Sequence, residues 1–118
     1  MKVIIAGSRG ITDFALMEQA VSESQFEITE VVSGGACGVD QLGERWAREH
    51  DVAIRQFLPD WHTHGKSAGF IRNDLMVKYA DALIVLWDGA SRGTKHTLEQ
   101  AQRKGILIYL MRTDAGMV

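Results

Sequence analysis

The sequence predicts an α/β protein, a three-layer sandwich in which helices cover both faces of a five-stranded parallel sheet. Two observations carry this. Short β-branched apolar runs alternate along the chain with stretches of helical periodicity, the pattern of right-handed strand–helix–strand crossovers. The runs are also apolar at consecutive positions, as in Ile4-Ile5 and Leu83-Ile84-Val85-Leu86, which suits strands covered on both faces. The expected strand order is 3-2-1-4-5, with four helices. At 118 residues the chain is one domain's worth, so separate cofactor and substrate domains are excluded. A single domain is expected over 1–111 and a flexible tail over 112–118.

The first strand is predicted over Lys2–Ala6, and after Gly7-Ser8-Arg9-Gly10 the spacing of Phe14, Met17 and Val21 predicts a helix. The second strand is Glu30–Ser33, with Ile28 as an alternative start, and Val39, Leu42 and Trp46 mark the second helix, Trp46 on its core side. The third strand, Val52–Phe57, runs into a polar loop holding the single proline, Pro59; Ile71, Leu75 and Tyr79 then mark the third helix. The fourth strand, Ala82–Trp87, is followed by a helix marked by Leu98 and Ala101. Gly105, just after Arg103-Lys104, supplies the left-handed residue and the cations that a helix C-terminus favours. The fifth strand is predicted over Ile106–Leu110.

With 46% apolar and 24% charged residues the composition is that of a globular domain, neither disordered nor collagen-like. Thirteen Lys and Arg against fifteen Asp and Glu leave a net charge of −2, so no global positive field draws in nucleic acid. The apolar runs fall far short of the roughly 20 residues of a membrane-spanning helix. A strand-like run begins at Lys2, leaving no room for a signal peptide, and the single Cys37 cannot form an internal disulfide; a cytoplasmic location is expected.

Nine of the twelve glycines fall between a predicted strand and the next helix: Gly7, Gly10, Gly34, Gly35, Gly38, Gly65, Gly69, Gly89 and Gly93. In an open parallel sheet these loops share the carboxyl edge of the strands, with the ligand crevice between strands 1 and 4. The loops read Gly7-Ser8-Arg9-Gly10, Ser33 to Asp40, Gly65-Lys66-Ser67-Ala68-Gly69 and Asp88 to Thr94. Glycine admits a phosphate to the backbone N–H groups, the following helix N-terminus adds partial positive charge, and Arg or Lys adds a full one. Phosphate binding is therefore expected, with Arg9, Lys66, Arg72, Arg92 and Lys95 nearby. Gly65-Lys66-Ser67 does not complete a Walker A loop, because Asp60 stands where its first glycine belongs.

Several residues have two readings each. Arg72 suits a bidentate grip on phosphate, or a salt bridge to Asp74 or Asp40. Asn73 suits a ribose or phosphate contact, or a helix cap; Asp40 suits the N-cap of the second helix, or a ribose hydroxyl. Trp61 suits stacking on a base, or packing on its own loop. Thr94 suits capping of the fourth helix together with a phosphate contact. His62 and His64 lack a third ligand, so no metal is expected. Cys37 is expected to be inert, and no cofactor is implied.

The run Asp60-Trp61-His62-Thr63-His64-Gly65-Lys66-Ser67-Ala68-Gly69-Phe70-Ile71-Arg72-Asn73-Asp74-Leu75-Met76, with Val3 to Gly10, Ser33 to Asp40 and Trp87 to Thr94, resembles the YpsA-related SLOG family of small bacterial and phage proteins. The resemblance spans Lys2 to Leu110 and implies a Rossmann-like fold. The wider superfamily includes the LOG phosphoribohydrolases and the DprA proteins, which bind single-stranded DNA, so membership alone does not fix function. In the phosphoribohydrolases an Arg of an R-x-x-x-M element works with a Glu three residues after the Thr of a GGxGT loop. Arg72 and Met76 match the first element and Gly93-Thr94 the end of the second, but Thr97 stands at the Glu position.

A threonine cannot stabilise an oxocarbenium-like state as a carboxylate does, so glycosidic cleavage would need Asp88, Asp40 or Asp74 instead. The resemblance thus implies a nucleotide-binding protein, with an N-glycosidase using a non-standard carboxylate as the alternative, for which Arg72 and Asp88 are the catalytic candidates. Single-stranded DNA binding, as in DprA, is disfavoured by the charge. The ligand-binding set is expected to be Gly7, Ser8, Arg9, Gly34, Gly35, Asp40, Trp61, Lys66, Arg72, Asn73, Gly89, Ser91, Gly93 and Thr94. Relatives pair through helices, which implies a homodimer.

Overall fold

A computed structural model describes residues 1–114 of the chain. The strands are β1 (Lys2–Gly7), β2 (Glu30–Ser33), β3 (Ala53–Gln56), β4 (Ala82–Trp87) and β5 (Leu107–Arg112). They form one parallel sheet in the order β3-β2-β1-β4-β5, as the sequence predicts. Four long helices make the crossovers: α1 (Phe14–Ser24), α2 (Val39–Glu49), α4 (Ala68–Tyr79) and α5 (Arg92–Lys104). A one-turn helix, α3 (Trp61–His64), and a 3₁₀ turn over Gly65–Ser67 lead into α4.

Alternate residues of the central strands point to opposite layers. Val3 and Ile5 of β1 pack with Met17 and Ala20 of α1 and with Val39 and Ala47 of α2. Ile4 and Ala6 pack on the other face with Met76 and Val77 of α4 and with Leu98 and Ala101 of α5. All of Val3 to Ala6 and Ala82 to Leu86 are buried, which explains their continuous apolar runs. The two edge strands differ from that expectation: in β3 only Ile54 is even half-buried, and Leu107 and Leu110 of β5 are exposed.

Helix ends follow local chemistry. Asp13 caps α1 by accepting the Leu16 N–H at 3.3 Å, and Gly105 ends α5 in the left-handed region, its N–H donating to Ala101 O at 3.0 Å. Lys104 donates to Val77 O at 3.2 Å, tying α5 to the end of α4. β5 runs two residues beyond its predicted end: Thr113 N–H donates to Trp87 O at 2.9 Å, and Arg112 grips Asp114 through Nε at 2.9 Å and Nη2 at 2.7 Å. Of the tail expected over 112–118, the part at 115–118 lies outside the described residues. No helix among the described residues is long and apolar enough to cross a membrane.

Candidate functional site

The chain leaves β1 towards α1 on one face of the sheet and leaves β4 towards α5 on the other. Where the two strands part, a cleft opens over Ala6 and Gly7. Arg9 stands on one side with Ala36 and Asp40; α4 contributes Arg72, Asn73 and Met76; Ser91, Gly93, Thr94 and Thr97 come from the start of α5. Its volume of about 80 Å³ is small beside the roughly 300–1,000 Å³ of small-molecule pockets.

The floor is fixed by Ser8, which is buried: its N–H donates to Leu86 O at 3.1 Å, and its Oγ accepts the Asp88 N–H at 3.1 Å. Gly7 must be glycine, because a Cβ would collide with Leu86 O and stand 2.7 Å from Val39 Cγ2. Asp88 accepts the N–H groups of Ala90 at 2.8 Å and Ser91 at 2.9 Å, and these bonds hold its carboxyl below the usual range. That carboxylate occupies the donors of its own turn, which are thereby lost to a ligand.

Arg72 is the centre of the cationic wall. Its Nη1 donates to Gly34 O, and its Nε donates to Asn73 Oδ1 at 2.9 Å. Buried Asn73 in turn donates through Nδ2 to Gly93 O at 3.3 Å and faces His96 Nδ1 at 3.3 Å, so one amide joins Arg72 to the start of α5. Burial pulls the Arg72 guanidinium below its ordinary value; Asp40 opposes that and Arg9 adds to it. Burial likewise pushes Asp40 up to about 6, with the Ala36 N–H at 3.2 Å and the charge of Arg72 pulling the other way. Among the described residues neither Arg9 nor Arg72 forms an ion pair; Asp74 pairs with Lys78 at 3.2 Å.

The predicted set divides on this geometry. Gly7, Arg9, Asp40, Arg72, Asn73, Ser91, Gly93 and Thr94 line the cleft. Gly34, Gly35 and Trp61 line a neighbouring groove that shares Arg9, Ala36 and Arg72 with it. Ser8 lies beneath, and exposed Lys66, Asp88 and Gly89 line neither opening; Gly89, at φ +85°, sits under Arg112 and Asp114. Arg92 and Lys95 are also exposed outside both. The capping roles move as well: Gly38 precedes α2 in place of Asp40, and Ser91 precedes α5 in place of Thr94, whose Oγ1 lies 3.0 Å from Ser91 Oγ.

Asn73 is the sixth residue of α4 and caps nothing. Residue spacing did not single out Ala36, whose N–H anchors Asp40, or His96, which stacks on Phe70 with centroids 4.3 Å apart and meets Asn73 across the α4–α5 seam. Thr97, in the position of the absent Glu, lines the cleft with its hydroxyl donated to Gly93 O at 3.1 Å. Of the three carboxylates considered for cleavage, Asp40 alone lines the cleft. Among the described residues no group of three His, Cys, Asp or Glu side chains is arranged to hold a metal ion.

Similarity to known proteins runs through both sequence and fold. The profile of the YspA, cpYpsA-related SLOG family matches residues 1–64. The Gene 61 protein of Mycobacterium phage D29 is 36% identical, with 89% of this chain and 91% of that one covered. The X-ray structure of DNA processing protein A (DprA) from Streptococcus pneumoniae matches 92% of this chain with a TM-score of 0.74 at 18% identity. The chain spans about half, 49%, of that protein's length, and the likeness is one of fold.

Proposed function

The chain belongs to the YspA, cpYpsA-related SLOG family, and from that premise we propose that it binds a nucleotide or nucleotide-derived phosphate ester, as a carrier or sensor, with the phosphate in the cleft between β1 and β4. One observation supports this above the others. Arg9 and half-buried Arg72 converge on the cleft without an ion-pair partner among the described residues, opposite the start of α5. Ser91 makes no side-chain cap bond there, which leaves the first N–H groups of a 13-residue helix for an anion. Arg72, kept half-buried and beside Arg9 at the cost of desolvation and repulsion, favours an incoming dianion.

A hydrolytic reading has one specific support, the presence of Asp40 in the cleft wall. Release of free base from nucleoside monophosphates, followed by chromatography, tests it; no release across the common bases removes it.

The binding reading is tested by thermal shift with AMP, GMP, CMP, ribose 5-phosphate, ADP-ribose and NAD. A ligand at 100 times its Kd adds about 2.7 kcal/mol, or roughly 10 °C in a domain of this size. Arg9→Ala, an exposed change, is expected to remove the shift and leave the ligand-free Tm unaltered. Arg72→Ala removes it too but lowers the Tm, because Gly34 O and Asn73 Oδ1 lose their donor. Absence of any shift across the panel overturns the proposal.

A further inference from the structure

The cleft is too small for a whole nucleotide, but it does not stand alone. Beside it lies a groove of about 370 Å³, within the roughly 300–1,000 Å³ range of small-molecule sites. Arg9, Ala36 and Arg72 form the wall common to both openings. The far side of the groove is apolar: Leu58, Pro59 and Trp61 line it, with Leu58 64% and Trp61 55% exposed. These are large apolar surfaces for a small domain to leave in water.

The tryptophan is held in place by its own turn. Asp60 caps α3, its Oδ1 accepting the Thr63 N–H at 3.1 Å and its backbone O accepting the His64 N–H at 2.9 Å. Next to the ring stands Gly69, where a Cβ would lie 3.6 Å from Trp61 Cη2 and 4.0 Å from Arg72 Nη2. A methyl group there would meet both the indole edge and the guanidinium at ordinary van der Waals distance, so this position lies between an aromatic ring and a cation. Opposite, Gly34 and Gly35 line the groove beneath Arg72 and Leu58, which stand where side chains at these positions would be. An aromatic face, an apolar wall and a guanidinium plane are the surroundings that a flat heteroaromatic ring favours.

We propose that this groove is a nucleobase subsite, in which the ring of a free nucleoside 5′-monophosphate stacks on Trp61 while Arg9 and Arg72 hold its phosphate in the adjoining cleft. The inference rests on the phosphate reading of the cleft and adds the second half of the ligand. A free nucleotide fits better than a nucleic-acid strand. Among the described residues the groove offers one aromatic ring, and its cations are the two that the cleft shares, whereas a strand needs a succession of both.

Calorimetric titration of the four ribonucleoside 5′-monophosphates, ribose 5-phosphate and a 5′-phosphorylated single-stranded hexanucleotide tests it. In the wild type at least one monophosphate is expected to bind five times or more tighter than ribose 5-phosphate. Trp61→Ala should erase that advantage and Trp61→Phe should restore most of it. If ribose 5-phosphate and all four monophosphates bind equally well, the phosphate site stands and the base subsite is overturned. If the hexanucleotide binds far tighter than every monophosphate, the occupant is a strand and the proposal fails. If no phosphate ester binds at all, both readings fall.

Discussion

A single missing methyl group at Gly34 leaves room for the cationic wall. A Cβ there would stand 2.9 Å from Arg72 Cζ and 2.9 Å from Asp40 Oδ2, so Gly34→Ala has to push the guanidinium away from Gly34 O. The expected cost is about 1–3 kcal/mol in denaturant unfolding, together with loss of the ligand-induced thermal shift; a variant that still shows the full shift would mean that Arg72 does not need this position. Asp40 gives a pH signature. Its native pKa of about 6 lies above that of an unfolded aspartate, so the native state holds the extra proton in between. The resulting stability is complete below about pH 4 and is lost as pH rises through 6, up to about 3 kcal/mol in all. Asp40→Asn is therefore expected to gain Tm on the wild type between pH 4.5 and 7.5, and a Tm difference that does not change with pH would contradict the assignment. Arg72 and Asp40 were singled out in the sequence as charged residues beside glycine loops, and both line the cleft. Lys66, Asp88 and Gly89 were assigned to the site by the same adjacency, which does not fix the direction of a side chain.

Among the elements, β2 and β4 were legible to the residue because their apolar runs are bounded by polar ends. The edge strands were not, since an exposed strand such as β3 carries too little apolar pattern to mark its limits. The start of α5 was misread for a related reason: Ser91 and Thr94 are both capping types, and the choice between them depends on Trp87, whose Nε1 donates to Ser91 O at 3.1 Å and holds that residue outside the helix. The end of α1 carries a residual strain. Gln25 closes it at φ 58°, in the left-handed region that a residue with a Cβ enters at a cost. Gln25→Gly is expected to raise stability by about 0.5–1 kcal/mol, seen as a higher denaturant midpoint with an unchanged slope. A lower midpoint would show that the added freedom of the unfolded chain outweighs the relief.

For the whole molecule, the order β3-β2-β1-β4-β5 is one of those that alternation and right-handed crossovers allow, and it puts the first and fourth loops beside each other. The seam between α4 and α5 was not legible, because Asn73 and His96 belong to different periodic patterns and meet only once both helices lie on one face of the sheet. Charge is the other global property. The net charge is −2, and among the described residues the cleft is lined by two guanidiniums, Arg9 and Arg72, with which to displace counterions from a strand. Each phosphate neutralised on single-stranded nucleic acid contributes about −0.7 to the slope of log K against log salt, so any oligonucleotide binding here should show a slope no steeper than about −1.4. Titration of a labelled single-stranded oligonucleotide between 50 and 200 mM salt measures it. A slope near −3 or beyond would require a basic track outside this cleft, with exposed Arg92 and Lys95 the first residues to replace.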